Sequence, residues 1–175
     1  RMKNNQVEGF QASSEPLPKE SDHLHPGKYT IRVGSKYCKP VSGINQTNVI
    51  KCDEEARHTF FINNVHGEED VLKTITINSN DDDSGGGFCA YDWPQGLNCN
   101  RENASLWEKY RVYSRGNNIY RLKSLRNFDN SDGHYCVYQE SNPNDPNLPR
   151  IICGDGSNGT DFIIERVEDT TTQSG

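Results

Sequence analysis

Six cysteines and five histidines are the residues of this 175-residue chain whose types most readily do chemistry. A thiolate attacks or binds metal, and a neutral imidazole serves as base or ligand, but each needs partners at set spacings. The cysteines form no Cys-x-x-Cys pair, which removes the zinc-ribbon and thioredoxin-like readings. His23, His25, His58, His66 and His134 stand in an N-terminal arm or beside turns and make no His-Glu-x-x-His cluster. His23 and His25 have the spacing for a weak grip on a metal, although a solvated arm is the plainer reading. No Gly-x-Ser-x-Gly elbow occurs, and no carboxylate pair stands out for glycoside hydrolysis. The expectation is a chain that binds rather than catalyses, with no catalytic residue, no metal and no cofactor.

Oxygen-rich loops are the next candidates. Asp81-Asp82-Asp83-Ser84-Gly85-Gly86-Gly87 and Asp129-Asn130-Ser131-Asp132-Gly133 are acidic and rich in turn formers. Calcium takes six to eight oxygens, yet neither stretch carries the EF-hand pattern, and exposed turns explain both. Binding chemistry is easier to place. Tyr91-Asp92-Trp93-Pro94-Gln95-Gly96 puts an indole beside proline in a turn, where it has limited opportunity to join a core. Such a side chain anchors sugars or protein partners, and Asp92 and Asn98 supply polar groups beside it. A second candidate is the stretch from Glu140 to Pro149, stiffened by Pro143, Pro146 and Pro149, where Asn144, Asp145 and Leu148 would meet a partner.

The elements that hold these residues repeat short runs of period two, with no helical periodicity. Tyr29–Ile31, Tyr37-Cys38, Ile50–Cys52 and Phe60–Ile62 make one unit. Ile75–Ile77, Phe88-Cys89, Leu97–Cys99 and Leu106-Trp107 make a second, and Tyr120–Leu122, Tyr135-Cys136, Ile151–Cys153 and Phe162–Ile164 a third. First cysteines lie 51 and 47 residues apart, and the step from second cysteine to closing aromatic is 8, 8 and 9. Six cysteines allow fifteen pairings, and the repeat selects one: Cys38–Cys52, Cys89–Cys99 and Cys136–Cys153. Phe60, Phe61, Trp107 and Phe162 recur at one repeat position and are assigned to the core.

Three copies of a four-strand unit resemble the β-trefoil superfamily. That resemblance implies an all-β fold of twelve strands in three repeats, at about 27–67, 68–115 and 116–168, with one disulfide per repeat. Disulfides between second and third strands are similar to those of ricin-type lectins, although the Gln-x-Trp signature is replaced by His58-Thr59-Phe60, Ser105-Leu106-Trp107 and Thr160-Asp161-Phe162. Gly27-Lys28-Tyr29 and Leu106–Val112 followed by Tyr120–Leu122 resemble the fascin, fibroblast growth factor and interleukin-1 branch. Residues 1–26 read as a flexible polar arm, 27–168 as the domain, and 169–175 as a fraying tail.

Composition sets the address. Hydrophobic residues make up 31% of the chain, so cross-links would help a thin core. Even cysteine number and the sequons at Asn45, Asn103 and Asn158 point to a secreted or cell-surface glycoprotein. A net charge of −6 argues against nucleic acid and heparin as partners. No apolar run is long enough to span a bilayer, and the start at Arg1 is read as a trimmed form whose targeting segment, with any anchor, has been removed. The leading expectation is an extracellular module recognising a protein or receptor, as a cytokine-like ligand or adhesion domain. A carbohydrate-binding lectin is the alternative, and a protease inhibitor using residues 140–149 is the third.

Overall fold

The period of two becomes alternation of buried and half-buried side chains. In Phe60–Asn64 residues 60, 62 and 64 are buried, and in Ile119–Ser124 residues 120, 122 and 124 are. The computed structural model describes residues 24–43, 46–54, 57–65, 74–126, 134–154 and 158–167. Within them lie β1 (Gly27–Val33), β2 (Lys36–Gly43), β3 (Gln46–Glu54), β4 (Phe60–Asn64), β5 (Thr74–Asn78), β6 (Phe88–Asp92) and β7 (Gly96–Arg101). A 3-10 turn, Leu106–Glu108, precedes β8 (Lys109–Gly116) and β9 (Ile119–Ser124). The chain continues with β10 (His134–Tyr135), β11 (Val137–Gln139), β12 (Arg150–Ile152) and β13 (Phe162–Arg166).

Pairing is antiparallel and closes on itself. A circuit of nine strands runs β9, β13, β1, β2, β3, β7, β6, β5, β8 and back to β9. Four strands are additional: β4 bridges β1 and β5, β10 extends from β9, and β11 pairs with β12 as a separate hairpin. This closed barrel with extra strands replaces the β-trefoil of twelve strands in three repeats, one disulfide each, that the spacing predicts. The reason is that spacing sets which residues lie on strands, while hydrogen bonding between hairpins sets architecture. The pair Val49–Asn98 joins β3 to β7 and welds the first two cysteine hairpins together, whereas the third pairs within itself. The Tyr135-Cys136 strand of the third unit also breaks at Cys136, whose N–H donates to Leu122 O and whose carbonyl accepts from Thr160 N–H.

The inward residues form one buried cluster that includes Tyr29, Ile31, Ile62, Ile75, Tyr110, Leu122 and Ile164. Tyr110 is wholly enclosed, and its hydroxyl donates to Cys89 O at 2.9 Å, so the phenol meets the requirement that a buried polar atom find a partner. Burial pushes its pKa well above the usual tyrosine range. Cys38 is bonded to Cys52, Cys89 to Cys99 and Cys136 to Cys153, with all six cysteines buried in the same cluster. At the β8–β9 turn, Asn117 and Asn118 take φ of 55° and 64°, the left-handed pair that a two-residue hairpin needs.

Phe60 and Phe162 are fully buried and Phe61 half-buried, but Trp107 is not a core residue. Ser105 N–H and Oγ–H both donate to Glu108 Oε1, at 2.6 and 2.7 Å, and Glu108 N–H donates to Ser105 O. This reciprocal cap winds residues 106–108 into a turn before β8 begins. Trp107 therefore leaves the strand alternation and lies 44% exposed. Leu24, assigned to the arm, is buried against the cluster. Residues 1–23, 127–133 and 168–175 lie outside the described residues, and with them His23, the Asp129–Gly133 loop and the tail. Asn45 and His66 are likewise outside.

Candidate functional site

Trp93 stands at the tip of the β6–β7 hairpin, between the paired residues Asp92 and Gly96, and is 61% exposed. One face of its ring meets the Arg150 guanidinium, with Cζ 4.8 Å from the ring centroid. Arg150 belongs to β12 and is itself buried. Its Nη1–H donates to Pro94 O at 2.5 Å and its Nε–H to Gln139 Oε1 at 2.8 Å, while Nη2 lies 3.8 Å from Asp145. The third hairpin comes this close because position 96 is glycine: its φ is +111°, and a Cβ there would sit 2.9 Å from Ile151 O. Tertiary structure thus brings together Trp93 and Asp145, two candidates 52 positions apart in sequence.

The other candidates around Trp93 are committed to the fold. Tyr91 is buried, and its carbonyl accepts from Arg126 Nη1 at 2.5 Å. Both oxygens of Asp92 are taken, Oδ1 by Arg126 at 3.1 Å and Oδ2 by Arg101 at 2.5 Å. Asn98 faces Val49 across the β3–β7 junction, with a buried Oδ1 that accepts no hydrogen bond. Asn144 is exposed, while Leu148 is half-buried with its N–H donating to Asp145 O. Asp145 Oδ1 accepts from Asn147 N–H at 2.9 Å. Tyr91, Asp92 and Asn98 therefore do not form a polar pocket beside the indole. Arg126 was missed by sequence reasoning, since a lone arginine after a strand carries no signal of its partners.

A different set of polar groups does converge. A cleft of about 340 Å³ opens between the β1–β2 turn, the end of β3 and the chain just past β11. Its lining comes from Val33, Gly34, Ser35 and Lys36, from Cys52 and Asp53, and from Tyr138, Glu140 and Ser141. Tyr138 is anchored by its hydroxyl, which donates to Cys52 O at 2.9 Å. Burial, reinforced by the Asp53 and Glu140 carboxylates, pushes that phenol up to about 12. Both acids therefore act on one aromatic side chain. Lys51, the residue before Cys52, is buried, and its ammonium donates to Asn147 O at 3.1 Å and Pro149 O at 2.6 Å. Those bonds tie β3 to the loop that follows Glu140 and Ser141. Glu140 and Ser141 belong to the candidate loop 140–149, but Lys36, Asp53 and Tyr138 were not sequence candidates, because the cleft draws on three segments about 15 to 85 residues apart with no shared motif.

Other polar features are occupied by the fold. A hollow of about 200 Å³ at the barrel end touches Leu24, Tyr29, Tyr120, Ile164 and Arg166. There Arg166 donates to the Tyr29 hydroxyl at 2.9 Å and to Pro26 O at 3.1 Å, and Tyr29 donates to His25 O. In the Asp81–Gly87 loop the Ser84 hydroxyl, and after it the Ser84 N–H that donates to Asp82 Oδ1, hold the Asp82 carboxyl below the usual range, and Asp83 accepts from Asn63. Among the described residues no three His, Cys, Asp or Glu side chains are grouped to hold a metal, and no helix is long and apolar enough to cross a membrane. Asn103 and Asn158 are exposed. Three disulfides are consistent with an extracellular protein.

No protein-family model matches the chain, and no curated protein matches it at a significant level. Solved structures do match. The lysenin pore superposes with a TM-score of 0.59 at 12% identity, over 84% of this chain and 48% of that one. A Polyporus squamosus lectin bound to the human-type influenza-binding epitope Neu5Aca2-6Galb1-4GlcNAc superposes with a TM-score of 0.55 at 14% identity, over 82% of this chain and 50% of that one. The chain thus spans about half the length of each. At these identities the likeness concerns the fold. It corrects the family suggested by the motifs: the barrel is similar to these two structures, in place of the fascin, growth-factor and interleukin-like trefoils with ricin-type disulfides.

Proposed function

We propose that this chain is an extracellular carbohydrate-binding module, acting by recognition without catalysis, and that its sugar occupies the cleft lined by Lys36, Asp53, Tyr138 and Glu140. The observation that carries the reading is the composition of that cleft. A sugar presents hydroxyls that both donate and accept, and a flank of C–H groups. Carboxylates accept from hydroxyl pairs, an ammonium and serine hydroxyls donate back, and an aromatic side chain covers the apolar flank. Asp53 and Glu140, Lys36 with Ser35 and Ser141, and Tyr138 supply these parts in that order. The likeness in fold to a lectin supports the same reading.

Charge narrows the class of sugar. Two carboxylates face one ammonium in the cleft, and the chain carries −6 overall, so a carboxylated or sulfated sugar would be repelled. Neutral saccharides are the expected ligands, which sets this cleft apart from the Neu5Ac-containing epitope bound by the Polyporus lectin. The test is a glycan array followed by calorimetry on the strongest neutral hit. Asp53→Asn with Glu140→Gln should weaken binding by at least about tenfold, the equivalent of one charge-assisted hydrogen bond. Binding that is confined to acidic glycans, or that ignores the double substitution, would rule the cleft out. A protein-recognition reading has the exposed Trp93 in its favour.

A further inference from the structure

The chain has two tryptophans, and both stand outside the core on one surface. Trp93 is 61% exposed, Leu106 50% and Trp107 44%, and these are the exposed large apolar side chains among the described residues. Each indole rests on an arginine whose other contacts are fixed. Trp93 lies against Arg150, which is tied to Pro94, Gln139 and Asp145. Trp107 lies against Arg126, 3.7 Å from ring centroid to Cζ, and Arg126 is tied to Tyr91 O and Asp92. Asp92 precedes Trp93 and accepts from Arg126, so the two stacks meet at one carboxylate.

We infer that this surface seats on the interface of an electrically neutral, zwitterionic lipid bilayer. Indoles favour the boundary between headgroups and acyl chains, where the ring is apolar and the N–H stays wet. Leu106 adds an aliphatic chain between β7 and β8. Behind the rings, Arg101, Arg126 and Arg150 are matched by Asp92, Glu108 and Asp145, so these six charges approach the headgroups as ion pairs. The rest of the chain brings the net charge to −6, so attraction to anionic lipid is not available and the contact must be driven by apolar insertion. Two stacked indoles and a leucine are the large apolar side chains left exposed among the described residues, and they make a surface suited to such an interface.

Because Trp93 and Trp107 are the chain's two tryptophans, intrinsic fluorescence reads this surface directly. The full chain is titrated with phosphatidylcholine vesicles free of glycolipid, following emission wavelength, acrylamide quenching and co-sedimentation. The expected result is a blue shift, protection from quenching, and sedimentation that falls when phosphatidylserine is added. Trp93→Ala and Trp107→Ala should each lower the partition coefficient on the order of tenfold, and Leu106→Gln severalfold, with thermal unfolding unchanged. Three results would overturn the inference: no shift at millimolar lipid, vesicle binding that survives the triple substitution, or a shift that tracks protein concentration without lipid, which would mean that copies pair through this surface. Glycolipid-free vesicles keep the outcome separate from sugar binding in the cleft.

Discussion

Replacing Lys51 by methionine isolates the tie between β3 and the loop behind the cleft. The stem length and volume are nearly kept, so packing changes little, but the ammonium is removed from between Asn147 O and Pro149 O. Lys51 is 7% exposed, so water cannot readily take its place. Each hydrogen bond to a charged donor contributes roughly 1.5–3 kcal/mol, and part of that is offset because a buried ammonium is no longer desolvated, leaving a net loss of about 2–3 kcal/mol. For a chain of this size that lowers Tm by about 4–12 °C, measured by calorimetry at neutral pH. The loop carrying Glu140 and Ser141 loses its tether, so affinity for the sugar should fall as well. A second arm uses pH. Burial lowers the pKa of Lys51 from 10.5; Asp53 and Asp145 oppose the shift and Arg150 adds to it. A base with a depressed folded pKa lets the unfolded chain bind more protons, so its contribution to stability increases as pH rises toward 10.5. The gap between wild type and Lys51→Met should therefore widen in alkaline buffer. A Tm within about 1 °C of wild type together with undiminished sugar affinity would refute the tether.

Two more expectations concern ionisation and covalent links. Tyr138 should titrate at about 12 in an ultraviolet absorbance titration, because burial first, then Asp53 and Glu140, raise it from 10.0. A raised folded pKa contributes stability below pH 10 that is lost as pH climbs through about 12, and Asp53→Asn with Glu140→Gln should bring the titration down; no movement would show that the carboxylates do not face the phenol. All six cysteines are 0% exposed, so mild reductant should leave the bonds intact until denaturant is added, as alkylation and mass measurement would show. Each bond closes a sequence separation of 10 to 17 residues, and removing one pair should cost about 3 kcal/mol in denaturant titrations; rapid native-state reduction would contradict the burial.

Strands were legible where the side-chain period was strict. Phe60, Ile62, Tyr120, Leu122, Phe162 and Ile164 alternate with outward residues, and burial follows that alternation. Trp107 was misplaced because its position in the cysteine spacing matched Phe60 and Phe162, whereas the Ser105–Glu108 cap is a local competitor that winds the chain before β8 starts. Trp93 was legible as a surface residue, but not Arg150 beneath it, nor the two arginines that consume Asp92.

Sequence by itself therefore determined an all-β chain held by disulfides, since period two and turn residues act over a few positions. The closed nine-strand circuit was decided only in three dimensions, by single contacts such as Val49–Asn98 between hairpins that no local pattern encodes. The cleft was decided there too: Lys36 and Asp53 are ordinary surface residues in the chain, and they meet Glu140 because Lys51 and Tyr138 tie β3 to the third hairpin while the pairing of β2 with β3 brings in the β1–β2 turn. Local propensity acts on neighbours in sequence, whereas recognition depends on groups whose separation is set by packing.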